Sequence, residues 1–302
     1  MVTALVGTVL ERDGATYRVD TASGEVRAVL RGRFKREQPK VVVGDVVQLE
    51  PEPGGDLFGV LGVEPRRSLL ARRVPEGRGV RPVAANVDRV VVVTAARNPD
   101  PIPQLIDRLL VLAEANSIPA AVVINKTDID SAGALADRLR AAGYPVHRTS
   151  VKSGEGIAEL AEALAGRVSV VTGPSGAGKS SLLNAVEPGL RLRTREVSRR
   201  VGRGRHTTVS AVMVPLSGGG FLMDTPGFSE VGLWGIGARD LAQCFPEMRP
   251  LADECRYGDC RHVSEPGCAV RGGVEEGLVA PDRYESYRAL LAEIEAMPKE
   301  WE

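Results

Sequence analysis

Four short sequences stand along this chain in an order that confines its fold. Asn125-Lys126-Thr127-Asp128 comes first, then Thr149-Ser150, then Gly173-Pro174-Ser175-Gly176-Ala177-Gly178-Lys179-Ser180, and last Asp224-Thr225-Pro226-Gly227. The third has the spacing Gly-x4-Gly-Lys-Ser, follows the apolar run 168–172 and precedes a helical pattern at 179–186. A strand that enters a glycine-rich turn and leaves as a helix aims backbone N–H groups and the positive helix end at one point, where phosphate binds. Such a unit belongs to an α/β sheet whose parallel strands are joined by helices.

The surrounding pattern agrees. Short Val-rich strands are expected at 89–94, 120–124, 146–149, 168–172, 210–216 and 221–223. Helices are expected at 104–116, 134–142, 156–165 and 179–186, giving an α/β fold with a parallel sheet covered on both faces. Residues 1–70 read differently, as strands at 4–11, 16–21, 25–31, 45–50 and 57–63 punctuated by Asp13-Gly14, Ser23-Gly24 and Gly54-Gly55. About five short strands in that length suggest a small closed β-barrel, most commonly an OB-fold, though a generic docking barrel reads the same way. The Arg/Gly/Pro-rich stretch 66–87 reads as a linker. After Phe228 the strand signals stop, and an amphipathic helix is expected at 282–296. The chain thus divides into 1–72, 73–229 and 230–302.

The candidate phosphate site is Gly173, Pro174, Ser175, Gly176, Ala177, Gly178, Lys179, Ser180 and Ser181. Lys179 can reach the β- and γ-phosphates, and the Ser180 hydroxyl can ligate Mg²⁺. This loop does not choose between ATP and GTP. Asn125, Lys126, Thr127 and Asp128 do. The Asp128 carboxylate can accept from guanine N1–H and the 2-amino group together, whereas adenine offers neither donor, a difference worth factors of about 10⁴–10⁵. Asn125 can contact the purine edge and tie neighbouring loops, and the Lys126 stem can lie over the base. Ser150 stands where a second base-contacting loop is expected, or in an ordinary turn. In a guanine-nucleotide domain of usual order the phosphate loop comes first and this tetrapeptide late; here the order is rotated.

Asp224 and Gly227 are the candidate γ-phosphate sensors, Asp224 through water on Mg²⁺ and Gly227 by its N–H. Thr208, or else Thr207, can place a hydroxyl on Mg²⁺ and a backbone N–H on the γ-phosphate, ordering that loop with GTP alone. Phe228 stands where a Gln could orient water, so unaided hydrolysis is expected to be slow. His206 can position water, or face phosphate or RNA. The candidate catalytic set is Lys179, His206, Thr208, Asp224 and Gly227. Loss of the γ-phosphate is expected to relax 191–208 and 224–230 and to re-aim the C-terminal part.

Formal charge is zero, yet 191–205 hold seven Arg against Glu196, and 230–302 hold fifteen acids against eight bases. A local basic run on a neutral chain points to an anionic partner such as RNA, or to a solvated loop. Arg31, Arg33, Lys35, Arg36 and Lys40 add a basic segment on the barrel. No apolar stretch reaches membrane-spanning length and no signal-like run opens the chain, so a cytoplasmic protein without membrane contact is expected. All four Cys fall after residue 243. Cys255, Cys260, His262 and Cys268 give three thiolates and an imidazole, enough to close one structural Zn²⁺ site with no open position. Cys244 falls outside this spacing and reads as a buried apolar residue.

Taken together, the barrel-like N-terminus, the rotated motif order and the Cys/His module resemble the bacterial RsgA (YjeQ) family of GTPases. The matching stretches are 125–128, 173–181, Gly204-Arg205-His206-Thr207-Thr208, 224–228, and 255–268 with Glu265-Pro266-Gly267-Cys268-Ala269-Val270. The resemblance implies an OB-fold, a circularly permuted P-loop GTPase domain and a mostly helical zinc-binding domain. It implies GTP hydrolysis stimulated by the small ribosomal subunit and its rRNA, late in that subunit's maturation. The partners would be that particle and other assembly factors, met by a monomer. The alternative is a nucleotide-gated RNA-binding factor in which hydrolysis only resets binding.

Overall fold

The computed structural model describes residues 5–31, 40–54, 56–73, 80–189, 211–224, 233 and 236–297. Strands β1 (Leu5–Asp13), β2 (Thr16–Thr21), β3 (Gly24–Leu30), β4 (Val46–Pro51) and β5 (Phe58–Val63) close into a barrel in the order β1-β2-β3-β5-β4. The period-2 pattern explains the closure. In β2, Tyr17, Val19 and Thr21 point inward between half-exposed neighbours. The barrel core is Val9, Tyr17, Val19, Ala28, Val47, Leu49 and Val60. All five expected strands form.

The stretch read as a linker does not remain one. It forms the antiparallel hairpin β6 (Leu69–Arg73) and β7 (Val80–Ala85). Leu70, Ala84 and Ala85 are fully buried, and Leu70 and Ala84 join the core of the adjoining sheet. Pro82 is tolerated because it sits beside the register shift between Leu70 and Ala71.

The second sheet has the order β10-β9-β8-β11-β13-β12, built from β8 (Arg89–Ala95), β9 (Ala120–Asn125), β10 (Val146–Arg148), β11 (Arg167–Thr172), β12 (Val212–Pro215) and β13 (Gly220–Asp224). Its pairs are parallel except for β12 against β13, so the expected parallel sheet carries one antiparallel edge. Alternation divides its side chains between two faces. Val90, Val92 and Val122 pack with Ile106 and Leu110 of α1 (Pro103–Ala115) and Leu139 of α2 (Gly133–Ala141). Val91, Val93 and Val123 pack with Leu160 and Leu164 of α3 (Ile157–Leu164) and Leu182 of α4 (Lys179–Val186). Covering both faces is what a parallel sheet requires.

The C-terminal region holds a 3-10 turn (Leu241–Cys244), α5 (Arg249–Ala252), α6 (Ala269–Glu275) and α7 (Pro281–Ala296). Arg283, Ser286, Tyr287, Leu290 and Leu291 are the buried stripe of α7, at helical spacing. Arg283 is 1% exposed. Its Nη1 donates to Asp107 of α1 at 2.8 Å, and its Nε and Nη2 donate to Glu247 at 2.6 and 3.0 Å. The guanidinium lies 4.5 Å from the Phe245 ring centroid. Cys244 is buried, as expected of an apolar residue. Among the described residues no helix is long and apolar enough to cross a membrane.

Candidate nucleotide site and metal centre

β11 lies between β8 and β13, so the loop it feeds opens at the middle of the sheet's carboxyl edge. Glycine is obligatory there. A Cβ on Gly173, at φ +141°, would stand 1.9 Å from the Val93 carbonyl oxygen, and one on Gly178 would stand 2.5 Å from Asn125 Nδ2. Lys179 opens α4 and donates to the Gly173 and Pro174 carbonyls, each at 2.8 Å, which places its ammonium over the loop. Ser175, Ser180 and Ser181 are exposed beside it, whereas Ala177 is buried beneath.

The Asn-Lys-Thr-Asp turn ends the fully buried β9 and meets this loop directly. Asn125 Nδ2 donates to the Ala177 carbonyl at 3.0 Å, and its Oδ1 accepts from Thr149 Oγ1 at 3.3 Å. One buried amide thus joins three of the four motifs. Lys126, at φ +65°, sends its ammonium to the carbonyls of Gly176 (2.8 Å) and Asn98. Ser150 is buried, and its Oγ donates to Asp128 Oδ1 at 2.7 Å while accepting from Ser153 N–H at 3.1 Å. Lys152 Nζ is 3.9 Å from Asp128 Oδ2. Thr127 N–H donates to the Thr149 carbonyl at 3.1 Å, and Thr127 Oγ1 pairs with Glu155 at 3.1 Å. A carboxylate has about four lone-pair sites. Ser150 uses one, leaving acceptors for two parallel N–H donors. Lys152, Glu155 and Asn98 are the neighbours that sequence reasoning missed. The first two follow Ser150 within five residues, whereas nothing local marks Asn98.

Asp224 pairs in register with Val171, so its backbone ends β13 beside the strand that feeds the phosphate loop. Its side chain lies outside the described residues, as do His206, Thr207, Thr208, Thr225, Pro226, Gly227, Phe228 and the Arg-rich run 191–205. On the barrel, Arg31 is held by Glu50 and Glu52, each at 2.7 Å, and so is partly neutralised. Arg33, Lys35 and Arg36 are not among the described residues.

Cys255, Cys260, His262 and Cys268 come together with all ligand atoms within 4.8 Å of one another. The sulfurs of Cys255 and Cys268 are 3.9 Å apart, and each is 3.4 Å from His262 Nδ1. Tetrahedral bonds of about 2.3 Å to sulfur and about 2.0 Å to nitrogen would separate the ligands by about 3.8 and about 3.5 Å. The residues therefore fit a zinc-sized ion. Their loop is braced from outside. Tyr284 and Tyr287 hydroxyls donate to the His262 and Arg261 carbonyls at 2.6 and 2.9 Å. Glu265 accepts from the N–H groups of Arg261, Val263 and Ser264. Burial alone would raise its pKa, but these donors bring it down to about 2. That support is full above the ordinary carboxylate range and is lost as pH falls toward 2.

A central sheet with a phosphate loop and an Asn-Lys-Thr-Asp turn sharing hydrogen bonds at its carboxyl edge, in rotated chain order, defines a P-loop GTPase of permuted topology. The chain belongs to the RsgA GTPase family, whose model matches residues 63–234. It is 51% identical to the small ribosomal subunit biogenesis GTPase RsgA of Gemmatimonas aurantiaca, over 97% of this chain and 99% of that protein. It is 45% identical to the protein of the same name from Moorella thermoacetica, over 95% and 97%. Crystal-structure YjeQ from Thermotoga maritima superposes with a TM-score of 0.80 at 33% identity, covering 98% of this chain and all of that one. YloQ, a circularly permuted GTPase, gives 0.78 at 29% identity, covering 99% and 97%.

Proposed function

We propose that the protein hydrolyses GTP on the small ribosomal subunit, late in that subunit's maturation, and that hydrolysis serves timing. The observation that carries the guanine assignment is the Asp128 carboxylate, held by Ser150 beside a phosphate loop that Asn125 bonds. The ribosomal part rests on near-full-length relatives that carry that role in their names. In this reading Asn125, Lys126, Thr127, Asp128 and Ser150 hold guanine, and residues 173–181 wrap the phosphates. Mg²⁺, when bound, supplies positive charge to the β- and γ-phosphate oxygens. Ser180, Thr208 and Asp224 would hold it. The Gly227 N–H holds the γ-phosphate, and His206 orients the water that attacks phosphorus as the bond to the β-phosphate oxygen breaks. Cys255, Cys260, His262 and Cys268 hold one closed, structural zinc ion. Residues 1–72, 73–229 and 230–302 form the barrel, nucleotide and metal domains, with the β6–β7 hairpin crossing the first boundary. The protein works in the cytoplasm as a monomer, with rRNA and other assembly factors as partners.

Hydrolysis by the purified protein should be slow, and small subunits should raise it by at least about tenfold. A rate indifferent to subunits would leave the GTPase and remove the ribosomal role. Lys179→Ala should weaken GTP binding by roughly a hundredfold, the worth of a charge-assisted phosphate contact. Titration with a fluorescent GTP analogue checks this, and unchanged affinity would contradict the role given to Lys179.

A further inference from the structure

We propose that the Asp107–Arg283 ion pair makes the C-terminal region a positioning element of the nucleotide site, acting through α1 and the loop 96–102. The inference rests on the nucleotide-site reading above and adds a regulatory path to it. Three links carry it.

The first link joins the C-terminal region to α1. Arg283 of α7 pairs with Asp107, Glu293 of α7 accepts both Arg108 Nη atoms at 2.5 and 2.8 Å, and Arg249 Nη2 donates to Glu114 at 2.8 Å. Asp107 is 0% exposed and is also held by Arg138 at 2.6 Å. Parting Arg283 from Asp107 and Glu247 would strand charges out of water. The C-terminal region therefore moves with α1 rather than apart from it. This limits the expectation that it is re-aimed freely through 224–230.

The second link is the start of α1. Ile106, one residue before Asp107, is fully buried, and the N–H groups of Leu105 and Ile106 both donate to the Ile102 carbonyl at 3.1 Å. Any displacement of Asp107 is carried into the loop 96–102. The far end of that loop is tied to the base-reading strand by Ala96 N–H on the Asn125 carbonyl at 2.7 Å.

The third link is the loop's own contact with the nucleotide site. Pro99 lies so close to Gly176 that a Cβ there would stand 3.2 Å from Pro99 Cδ. The Lys126 ammonium is shared between the Asn98 and Gly176 carbonyls. Arg97 reaches Asp130, two residues past Asp128, at 3.5 Å. Nucleotide that fixes Lys126 and the phosphate loop therefore tightens α1 and α7. By linkage, a partner that grips the C-terminal region changes nucleotide affinity by the same factor.

Hydrogen exchange of the full-length protein with and without Mg²⁺ and GDP tests this without a variant. GDP should protect amides at 125–128 and 173–186, and also at 103–115 and 281–296. Protection at the first pair of segments with none at 281–296 overturns the inference and leaves the nucleotide site standing. Protection nowhere overturns both. A mutant cycle tests the route. Arg283→Lys should speed GDP release about fivefold, and less than about twofold when Lys126→Met is already present. Equal effects in the two backgrounds, or none in either, would defeat the proposed path. If Arg283→Lys does not keep α7 folded, Asp107→Asn, which matches the native shape, carries the same cycle.

Discussion

Asp128→Asn should turn the protein from a guanine reader into a xanthine reader. Ser150 fixes the geometry of the exchange. Its hydroxyl oxygen already accepts from Ser153 N–H, and its proton goes to Asp128 Oδ1. In the variant that proton still needs an acceptor, so the amide oxygen takes the Oδ1 place and the amide nitrogen takes that of Oδ2. A donor then stands where an acceptor stood. Guanine presents N1–H and a 2-amino group, two donors, one of which now meets a donor. Xanthine presents N1–H and a 2-oxo group, which match the new pair. GDP affinity should fall by about a thousandfold or more, within the range set by an unpaired polar contact in a site built for it. XDP should gain most of what GDP loses, and ADP should bind neither form. Competition titrations of GDP, XDP and ADP against a fluorescent nucleotide measure all three. The side chain of Asp128 is partly exposed, and the melting temperature should hardly move, so a loss of GDP binding is not a loss of fold. Retained guanine preference would remove Asp128 from base recognition.

The loops that carry this chemistry are legible in sequence because each has a local cause. Gly173 and Gly178 are required by close backbone and side-chain approaches, and Asn125-Lys126-Thr127-Asp128 follows a buried apolar run. The barrel is legible for the same reason, since alternation and turn residues lie next to one another in the chain. What is not legible depends on partners distant in sequence. The hairpin through Leu70 and Ala84 hides under Arg, Gly and Pro, and only the core it meets makes it a hairpin. Arg283 on an amphipathic helix reads as a solvated charge. Its partner Asp107 is 176 residues away, and neither neighbourhood hints at the other. Ser150 stands between: its sequence allows a base-contacting loop or a plain turn, and the structure adds a hydroxyl contact to Asp128 that the sequence does not announce.

Removing the metal should unfold the ligand loop while leaving the nucleotide site able to bind. Cys260, Cys268 and Val270 lie in one core cluster with Tyr287, Leu290 and Phe245, so the cluster is large on the α7 side. Apart from its ligands the loop buries little apolar surface, since Tyr257 and Val263 are exposed. It is organised by Glu265, two tyrosine hydroxyls and the four ligand atoms. An ion closing such a set supplies on the order of 10 kcal/mol of folding free energy. Burial pushes the Cys260 and Cys268 thiols above their ordinary range, so metal entry must displace protons. With those two thiols protonated near neutrality, apparent affinity should fall by about a hundredfold per pH unit on acidification. Elemental analysis should give one zinc per chain, and competition with a chelator across roughly pH 6–8, where the raised thiols stay protonated, should show that steep dependence. Cys260→Ser should abolish the zinc and lower the melting temperature by about 10 °C or more. Amides at 255–268 should then exchange freely, whereas α7, still fixed to α1 by Arg283, Arg108 and the Leu290–Leu291 face, should stay helical. GDP should still protect 173–186. Collapse of nucleotide binding together with α7 would show instead that the ligand loop, and not the ionic contacts with α1, holds the C-terminal region in place.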